Sequence, residues 1–271
     1  MFKVLKANGE IEPFSEDKLK FSLSKAGLPQ NLHEEALKHI KNKLRENIPT
    51  SEIYNQVNYF LEKNSPMHKT KYSLKQAIME LGPTGYPFED YISKLMQAQG
   101  YTTLVRQIIE GKCVNHEIDV IAKKNTVLPT AIMIEAKFHN QLGIRTDLHV
   151  SLYTKARFDD CKEKNNFSGA MLATNTKITT DALAYALCSG MEILSWSYPE
   201  NKGLRELIEE YHLYPITVIN KFTQREKELL TEKGIVLCSD ICKNHELLSQ
   251  LNIDKQRKEN IINEINFVCS K

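Results

Sequence analysis

Apolar and polar positions along the chain change period three times, and each change predicts a different kind of segment. The first stretch opens on two short alternating runs, "FKVLKA" and "EIEPF", separated by Asn8-Gly9, the strongest two-residue hairpin signal. Helical spacing then takes over. Ser15 caps a helix over 16–26 that has Leu19, Leu23 and Ala26 on one face and is stopped by Gly27. A second helix is predicted over about 33–46. A third follows Thr50 as N-cap, with Ile53, Val57, Phe60 and Leu61 at helical spacing. A fourth, over 71–81, ends in the breaker cluster "GPTGYP", which predicts a boundary near residue 85.

From there helices alternate with apolar runs. "FEDYISKLMQAQ" reads as a helix ended by Gly100, and "YTTLVRQII", "HEIDVIAKK" and "TAIMIEAKF" as strands, the last entered after Pro129. A helix over about 147–162, a strand "SGAMLAT", a helix "TTDALAYALCS" capped by Thr179 or Thr180, a strand "MEILSWS" and a helix "GLRELIEEYH" complete this segment. Such alternation over 86–214 predicts a mixed or parallel sheet covered on both faces. After Pro215 two helical stretches, "TQREKELLTEKGIVLCSDICKN" and "DKQRKENIINEINFVC", predict a small helical tail over 215–271 with a handover at Gly234.

Composition narrows the function classes without choosing among them. The chain has 271 residues, 41% hydrophobic and 26% charged, an ordinary mixture for a globular protein. No run approaches a membrane span and the N-terminus lacks the apolar core of a signal peptide, so a cytoplasmic location is expected. The net charge is only +2, near balance in all three segments, so any nucleic-acid partner must be held by local clusters. Six scattered cysteines offer one C-x3-C pair and no second pair for a zinc ribbon; free thiols are expected.

The chemistry concentrates in the middle segment. Glu135 and Lys137 interrupt an apolar strand two residues apart, and so share a face. Burying either one unpaired would cost on the order of several kcal/mol. In the preceding strand Asp119 alternates with apolar neighbours, and a neighbouring pair of strands would bring it beside Glu135. Two carboxylates so placed call for a hard cation such as Mg²⁺ or Mn²⁺, and a lysine one pleat further along can hold a water or stabilise phosphate charge. The bland alternative is an ion pair of Glu135 with Lys137 at a sheet edge. His116 and His139 flank the cluster, and Arg145, Lys155 and Arg157 follow it among aromatics in "HVSLYTKARF"; these five are candidate DNA contacts or merely solvated positions.

At "HEIDVIA" and "IEAK", with "GYPFEDYISKLMQAQGY" before them and "ATNTKITTDALAYA" and "MEILSWSYP" after, the chain resembles the PD-(D/E)xK nuclease superfamily, in particular its Mrr-like restriction-endonuclease branch. The resemblance implies metal ligation by Asp119, Glu135 and the backbone carbonyl of Ala136, with Glu89 an additional acidic ligand in some members and Lys137 the catalytic lysine. Many Mrr-like proteins carry Gln in place of this Glu and a downstream Gln-x-x-x-Lys, where this chain offers Lys155 and Arg157. The first 85 residues, through "VLKANGEIEPFSEDKLKFSLSKAGL", "IPTSEIYNQV" and "KYSLKQAIMELGP", resemble the ATP cone, a regulatory nucleotide-binding module. That implies ATP or dATP as ligand and Val4, Lys6, Glu12, Ser15, Lys18 and Thr50 as contacts. Lys6, Lys18 and the Ser15-capped helix start suit a triphosphate on physical grounds. Many cones carry Lys-Arg before the turn; this chain has Lys6-Ala7. The tail loosely resembles a helix-hairpin-helix or SAM-like module, with a helical cap as the alternative.

The resulting expectation is an α/β chain: a mixed-sheet restriction-endonuclease-like core with helices on both faces (86–214), preceded by a β-hairpin plus four-helix ATP cone (1–85) and followed by an all-α tail (215–271). Its expected function is Mg²⁺-dependent DNA cleavage under ATP or dATP control, in restriction, defence or repair, by a homo-oligomer with no membrane partner. The alternative is a nucleotide-sensing DNA-binding protein with the nuclease fold and little cleavage. A ribonucleotide reductase is excluded because too little chain follows the cone for its catalytic barrel.

Overall fold

The computed structural model describes residues 2–124 and 130–270; Pro129 lies outside the described residues. The chain begins with a three-stranded sheet in the order β2-β1-β3. Strands β1 (Lys3–Leu5) and β2 (Ile11–Pro13) are antiparallel, and β3 (Ile48–Pro49) joins β1 in parallel. Asn8-Gly9 forms the connecting turn, where φ +84° at position 9 suits glycine. Helices α1 (Glu16–Lys25), α2 (Gln30–Lys41) and α3 (Thr50–Asn64) close a small core around Leu23, Ala36, Val57 and Leu61.

Three sequence expectations are corrected here. Helix α2 ends at Lys41, short of Glu46, because Asn42 to Asn47 turn the chain back into β3 and Asn47 takes a left-handed φ of 54°. Thr50 is the first residue of α3 and not its cap; Pro49 holds the N-cap position and supplies no side-chain acceptor. The expected fourth helix is two helices, α4 (Pro66–Tyr72) and α5 (Leu74–Met79), broken at Ser73.

Helix α6 (Tyr86–Ala98) leads into a five-stranded mixed sheet of order β10-β8-β6-β5-β4. Strands β4 (Thr102–Glu110), β5 (Asn115–Lys124) and β6 (Thr130–Lys137) are antiparallel neighbours, whereas β6, β8 (Gly169–Thr174) and β10 (Glu192–Leu194) run parallel. The parallel half needs crossovers, which α7 (Leu148–Asn165) and α8 (Thr180–Cys188) supply. A two-stranded ribbon of β7 (Arg145–Thr146) and β9 (Lys177–Ile178) sits at the mouths of these crossovers. One sheet face, through Met133, packs with Cys161 of α7 and Ala186 of α8. The other, through Ile132, Ile134 and Ala136, packs with α6.

Helix α9 (Leu204–Tyr211) precedes the tail, made of α10 (Gln224–Glu232), α11 (Cys238–Lys243) and α12 (Lys255–Cys269). The tail adds Leu230, Val236, Ile261 and Val268 to the same core that holds α5 and α6. Cys242 and Cys269 are joined by a disulfide, which corrects the expectation of free thiols: α11 and α12 pack together and bring residues 27 apart in sequence into contact.

A buried carboxylate ties the two ends of the chain. Glu264 of α12 accepts from the Thr70 hydroxyl of α4 (2.7 Å), from the Asn220 main-chain and side-chain amides (2.9 and 3.0 Å) and from the Lys221 N–H (3.2 Å). Removing that acceptor strands the buried Thr70 hydroxyl and three part-buried N–H donors of Asn220 and Lys221, so Glu264→Ala should lower stability by about 2–4 kcal/mol in urea unfolding, and Glu264→Gln by clearly less. Equal losses in the two variants would contradict this role.

Candidate functional site

The β5–β6 register pairs Val120 with Ile134. One step further on, Asp119 and Glu135 face each other at the end of the ladder, and the Ala136 N–H donates to Asp119 Oδ2 (2.7 Å). Glu135 and Lys137 share the sheet face that α7 covers, because residue 133, two positions earlier, packs there. From α7, the buried guanidinium of Arg157 reaches down and donates through Nη1 to Glu135 Oε2. The Arg157 Nε is buried without a partner among the described residues, and its guanidinium lies 5.3 Å from the centre of the Tyr153 ring.

Helix α6 brings Glu89, 8% exposed, toward the same carboxylates. It accepts from Arg106 Nη1 (3.2 Å), whose Nη2 donates to Asp90 (2.8 Å). Arg106 itself is strained. The β4–β5 ladder pairs Val105 with Val120 and Gln107 with Ile118 but skips Arg106, which adopts φ 51°. A left-handed arginine in mid-strand, at the register position of Asp119, persists only where its surroundings hold it. Here the Glu89 and Asp90 carboxylates do so.

The electrostatics follow from burial. Desolvation, and after it the charge of Asp119, pushes Glu135 up to about 7, against the pull of Arg157 and Lys137. The same two causes in the same order push Glu89 up to about 7. Asp119 is raised by burial in spite of the Ala136 N–H bond. Three carboxyls raised by desolvation, two of them further by the charge of Asp119, form a site short of positive charge. Among the described residues no group of three or more His, Cys, Asp or Glu side chains is arranged to hold a metal. Asp119 and Glu135 face one another at the ladder end and are the carboxylates that could hold a hard divalent cation here. Among the described residues Lys137 makes no side-chain hydrogen bond or ion pair, so its ammonium is available to a ligand.

The remaining sequence candidates divide. His116 bonds to Asp160 Oδ2 (2.8 Å), which also accepts from the Val114 N–H, while Oδ1 accepts from the Cys113 N–H; the His116 bond is the largest influence holding that carboxyl well below its usual range. This histidine pins the β4–β5 turn to α7. His139 bonds to Thr146 (3.1 Å), and its main chain exchanges two bonds with Asn175 (2.9 and 2.7 Å), fixing the segment that leaves β6. Burial lowers its pKa, and Lys137 lowers it further. Lys155 pairs with Asp159 (2.7 Å). Arg145 stands apart from the carboxylates and lies 3.6 Å from Glu10 of the first domain. Sequence reading placed Arg157 on a DNA-facing surface and missed Arg106; the polar position inside "TTLVRQII" was the available signal for the latter.

In the first domain, Glu12 sits between Lys6 (2.8 Å) and Lys18 (3.0 Å), and Ser15 caps α1 by accepting from the Lys18 N–H (3.2 Å). Val4 is buried and pairs through its main chain with Glu12 and Ile48. Lys6 and Thr50 line a cavity of about 820 Å³ whose opposite wall comes from the segment before β7 and from β9.

Three family models match in succession: an ATP cone domain over residues 2–76, a restriction endonuclease domain over 82–197, and an "AF1548-like, C-terminal" domain over 214–269. An uncharacterized protein of Archaeoglobus fulgidus is 36% identical over 177 residues, 64% of this chain and 97% of the relative. The crystal structure of the protein of unknown function AF1548 matches with a TM-score of 0.59 at 33% identity, covering 69% of this chain and 98% of that one. The MspJI restriction endonuclease in complex with a 27-mer oligonucleotide gives a TM-score of 0.36 at 10% identity, over 73% of this chain and 40% of that one.

The raised carboxylates set a sign for stability in the metal-free protein. A group shifted from 4.5 to about 7 on folding stays protonated in the native state while the unfolded chain ionises, so stability is lost as pH rises across that window. In chelator the melting temperature of Glu135→Gln relative to wild type should therefore rise from about pH 5 to about pH 7.5, whatever constant offset the loss of the Arg157 pair adds. A difference that stays constant or falls with pH would contradict the burial-driven shift.

Proposed function

The chain belongs to the AF1548-like family, here with an ATP cone ahead of the restriction-endonuclease-like domain, and from that premise we propose that it is a metal-dependent DNA endonuclease regulated by ATP or dATP. One observation carries the reading: Asp119, Glu135 and Lys137 converge where the β5–β6 ladder ends, the two carboxylates short of positive charge and the lysine free among the described residues. The domains we assign are the cone over 1–85, the nuclease over 86–214 and the helical tail over 215–271.

Asp119, Glu135 and the Ala136 carbonyl would hold Mg²⁺ or Mn²⁺, which when bound supplies charge neutralisation for a phosphate and a more acidic water. Lys137 binds the phosphate and orients the attacking water from the same strand face as Glu135. Arg157 neutralises Glu135 from above, and Tyr153 covers its guanidinium. Glu89, which burial and then the charge of Asp119 push up to about 7, is the weaker candidate for a further acidic ligand. His139 and Asn175 hold the segment after Lys137 and so fix where the strand ends.

No helix among the described residues is long and apolar enough to cross a membrane; we assign the protein to the cytoplasm. Self-association is supported by the edge strand β4, whose Leu104 and Ile108 are 49% and 75% exposed.

The test is cleavage of plasmid and linear DNA with Mg²⁺ or Mn²⁺, with and without ATP and dATP. Wild type should cut, nucleotide should change the rate, and Lys137→Ala should lower it by about 10² or more. Cleavage indifferent to Lys137→Ala would remove the lysine from the mechanism. Metal-dependent DNA binding without cutting would instead favour a nucleotide-sensing DNA-binding protein.

A further inference from the structure

The cavity beside Lys6 is of ligand size, about 820 Å³, and two domains build it. The cone contributes β1's end, the start of α3 and the side chain of Tyr54; α5 contributes Lys75; the nuclease domain contributes residues 141–145 and 176–177. Charge across this cavity is one-sided. Lys6, Lys75, Arg145 and Lys177 line it against a single carboxylate, Glu10, which is already engaged by Lys6 (3.2 Å) and by Arg145 (3.6 Å). Among the described residues Lys75 and Lys177 have no carboxylate partner.

Two of these cations are forced together by the backbone. Arg145 and Lys177 are register partners in the parallel β7–β9 ribbon. Like charges set opposite one another across a ladder destabilise it unless an anion lies between or above them. Lys75, half-buried in the same cavity lining, has its pKa lowered by desolvation and then by the charges of Lys177 and Arg205, and its ammonium lies 5.5 Å from the centre of the Trp196 ring. The N-terminus of the 15-residue helix α3 also opens here, with Pro49 leaving its first N–H groups without a side-chain acceptor. The same cavity is also lined by the apolar Tyr54, Met79, Leu142 and Ile144. A cavity of ligand size lined by excess cations together with aromatic and aliphatic side chains suits a nucleoside polyphosphate, whose phosphates need positive charge and whose base needs apolar surface.

We propose that this cavity is a composite nucleotide site in which the nuclease domain's Arg145 and Lys177 bind the phosphates. The inference rests on the cone being a nucleotide-binding module and adds that the cone alone is only half of the site. It also gives the ligand a mechanical address. The segment carrying Leu142, Gly143 and Arg145 leaves β6 immediately after Lys137 and ends at Asp147, the N-cap of α7, the helix that holds Arg157. Gly143, at φ +87°, lies against the backbone of Ala7, where an added Cβ would come within 3.0 Å of the Ala7 carbonyl. A phosphate on Arg145 thus acts on a segment anchored at both ends to the proposed active site.

Calorimetric titration of the full chain with ATP, and competition by inorganic tripolyphosphate, test the assignment. Wild type should bind ATP, tripolyphosphate should displace it, and Lys177→Ala and Arg145→Ala should each weaken ATP by about tenfold or more, the scale of a lost charge-assisted contact. Melting temperatures without nucleotide separate loss of binding from misfolding. Lys177→Ala carries the test if Arg145→Ala fails to fold, because it breaks no ion pair among the described residues. If Lys6→Ala loses ATP while the Arg145 and Lys177 variants bind as wild type does, the cone reading stands and the composite site falls. If tripolyphosphate does not compete, the phosphate assignment is wrong. If wild type binds no ATP, the cone reading and the composite site both fail.

Discussion

Two carboxylates facing one another at the end of a β-ladder are the constraint around which this molecule is arranged. Asp119 and Glu135 come from adjacent strands in a sheet covered on both faces, and neither can ionise there without help. The surroundings supply that help piecemeal: the Ala136 N–H to Asp119, the Arg157 guanidinium to Glu135, and Lys137 along the strand. Even so both carboxyls remain raised. The site is thus held unsatisfied by the fold, which is the condition in which a hard cation gains most by binding. Beside it, at the register position of Asp119, Arg106 takes a left-handed φ of 51° and is held there by Glu89 and Asp90.

Rigid support for this arrangement comes from distant parts of the chain. One continuous core runs from α5 through α6 and the inner sheet face to α12. The Glu264 carboxylate, buried among donors from α4 and the 220–221 turn, closes the loop between the end of the first domain and the tail. Because α5 belongs to that core and also floors the cavity through Lys75, the cone-side cavity and the carboxylate cluster share a scaffold.

Much of this was legible in the sequence, for physical reasons that particular residues make plain. A carboxylate and an ammonium two apart inside "TAIMIEAKF" have no cheap explanation in a buried strand, so they marked the site, and alternating strands and helices marked the mixed sheet. What was not legible depended on tertiary partners. Arg157 read as a solvated helix face because nothing local shows that α7 turns it onto Glu135. Ser73 breaks what periodicity presents as a single helix, and Pro49 takes the cap position that Thr50 alone appeared to own. Lys75 and Lys177 lie far apart in sequence and belong to different domains, so only the folded chain brings them to one cavity. The disulfide between Cys242 and Cys269 escaped for the same reason: sequence spacing carries no information on how α11 meets α12.

The central claim is that Asp119 and Glu135 together form a divalent-cation site, and direct Mn²⁺ titration followed by electron paramagnetic resonance tests it without reference to cleavage. The account predicts a saturable site in the wild-type chain that is lost in both Asp119→Asn and Glu135→Gln while the fold is retained. Mn²⁺ bound as tightly by the two variants as by wild type would contradict it.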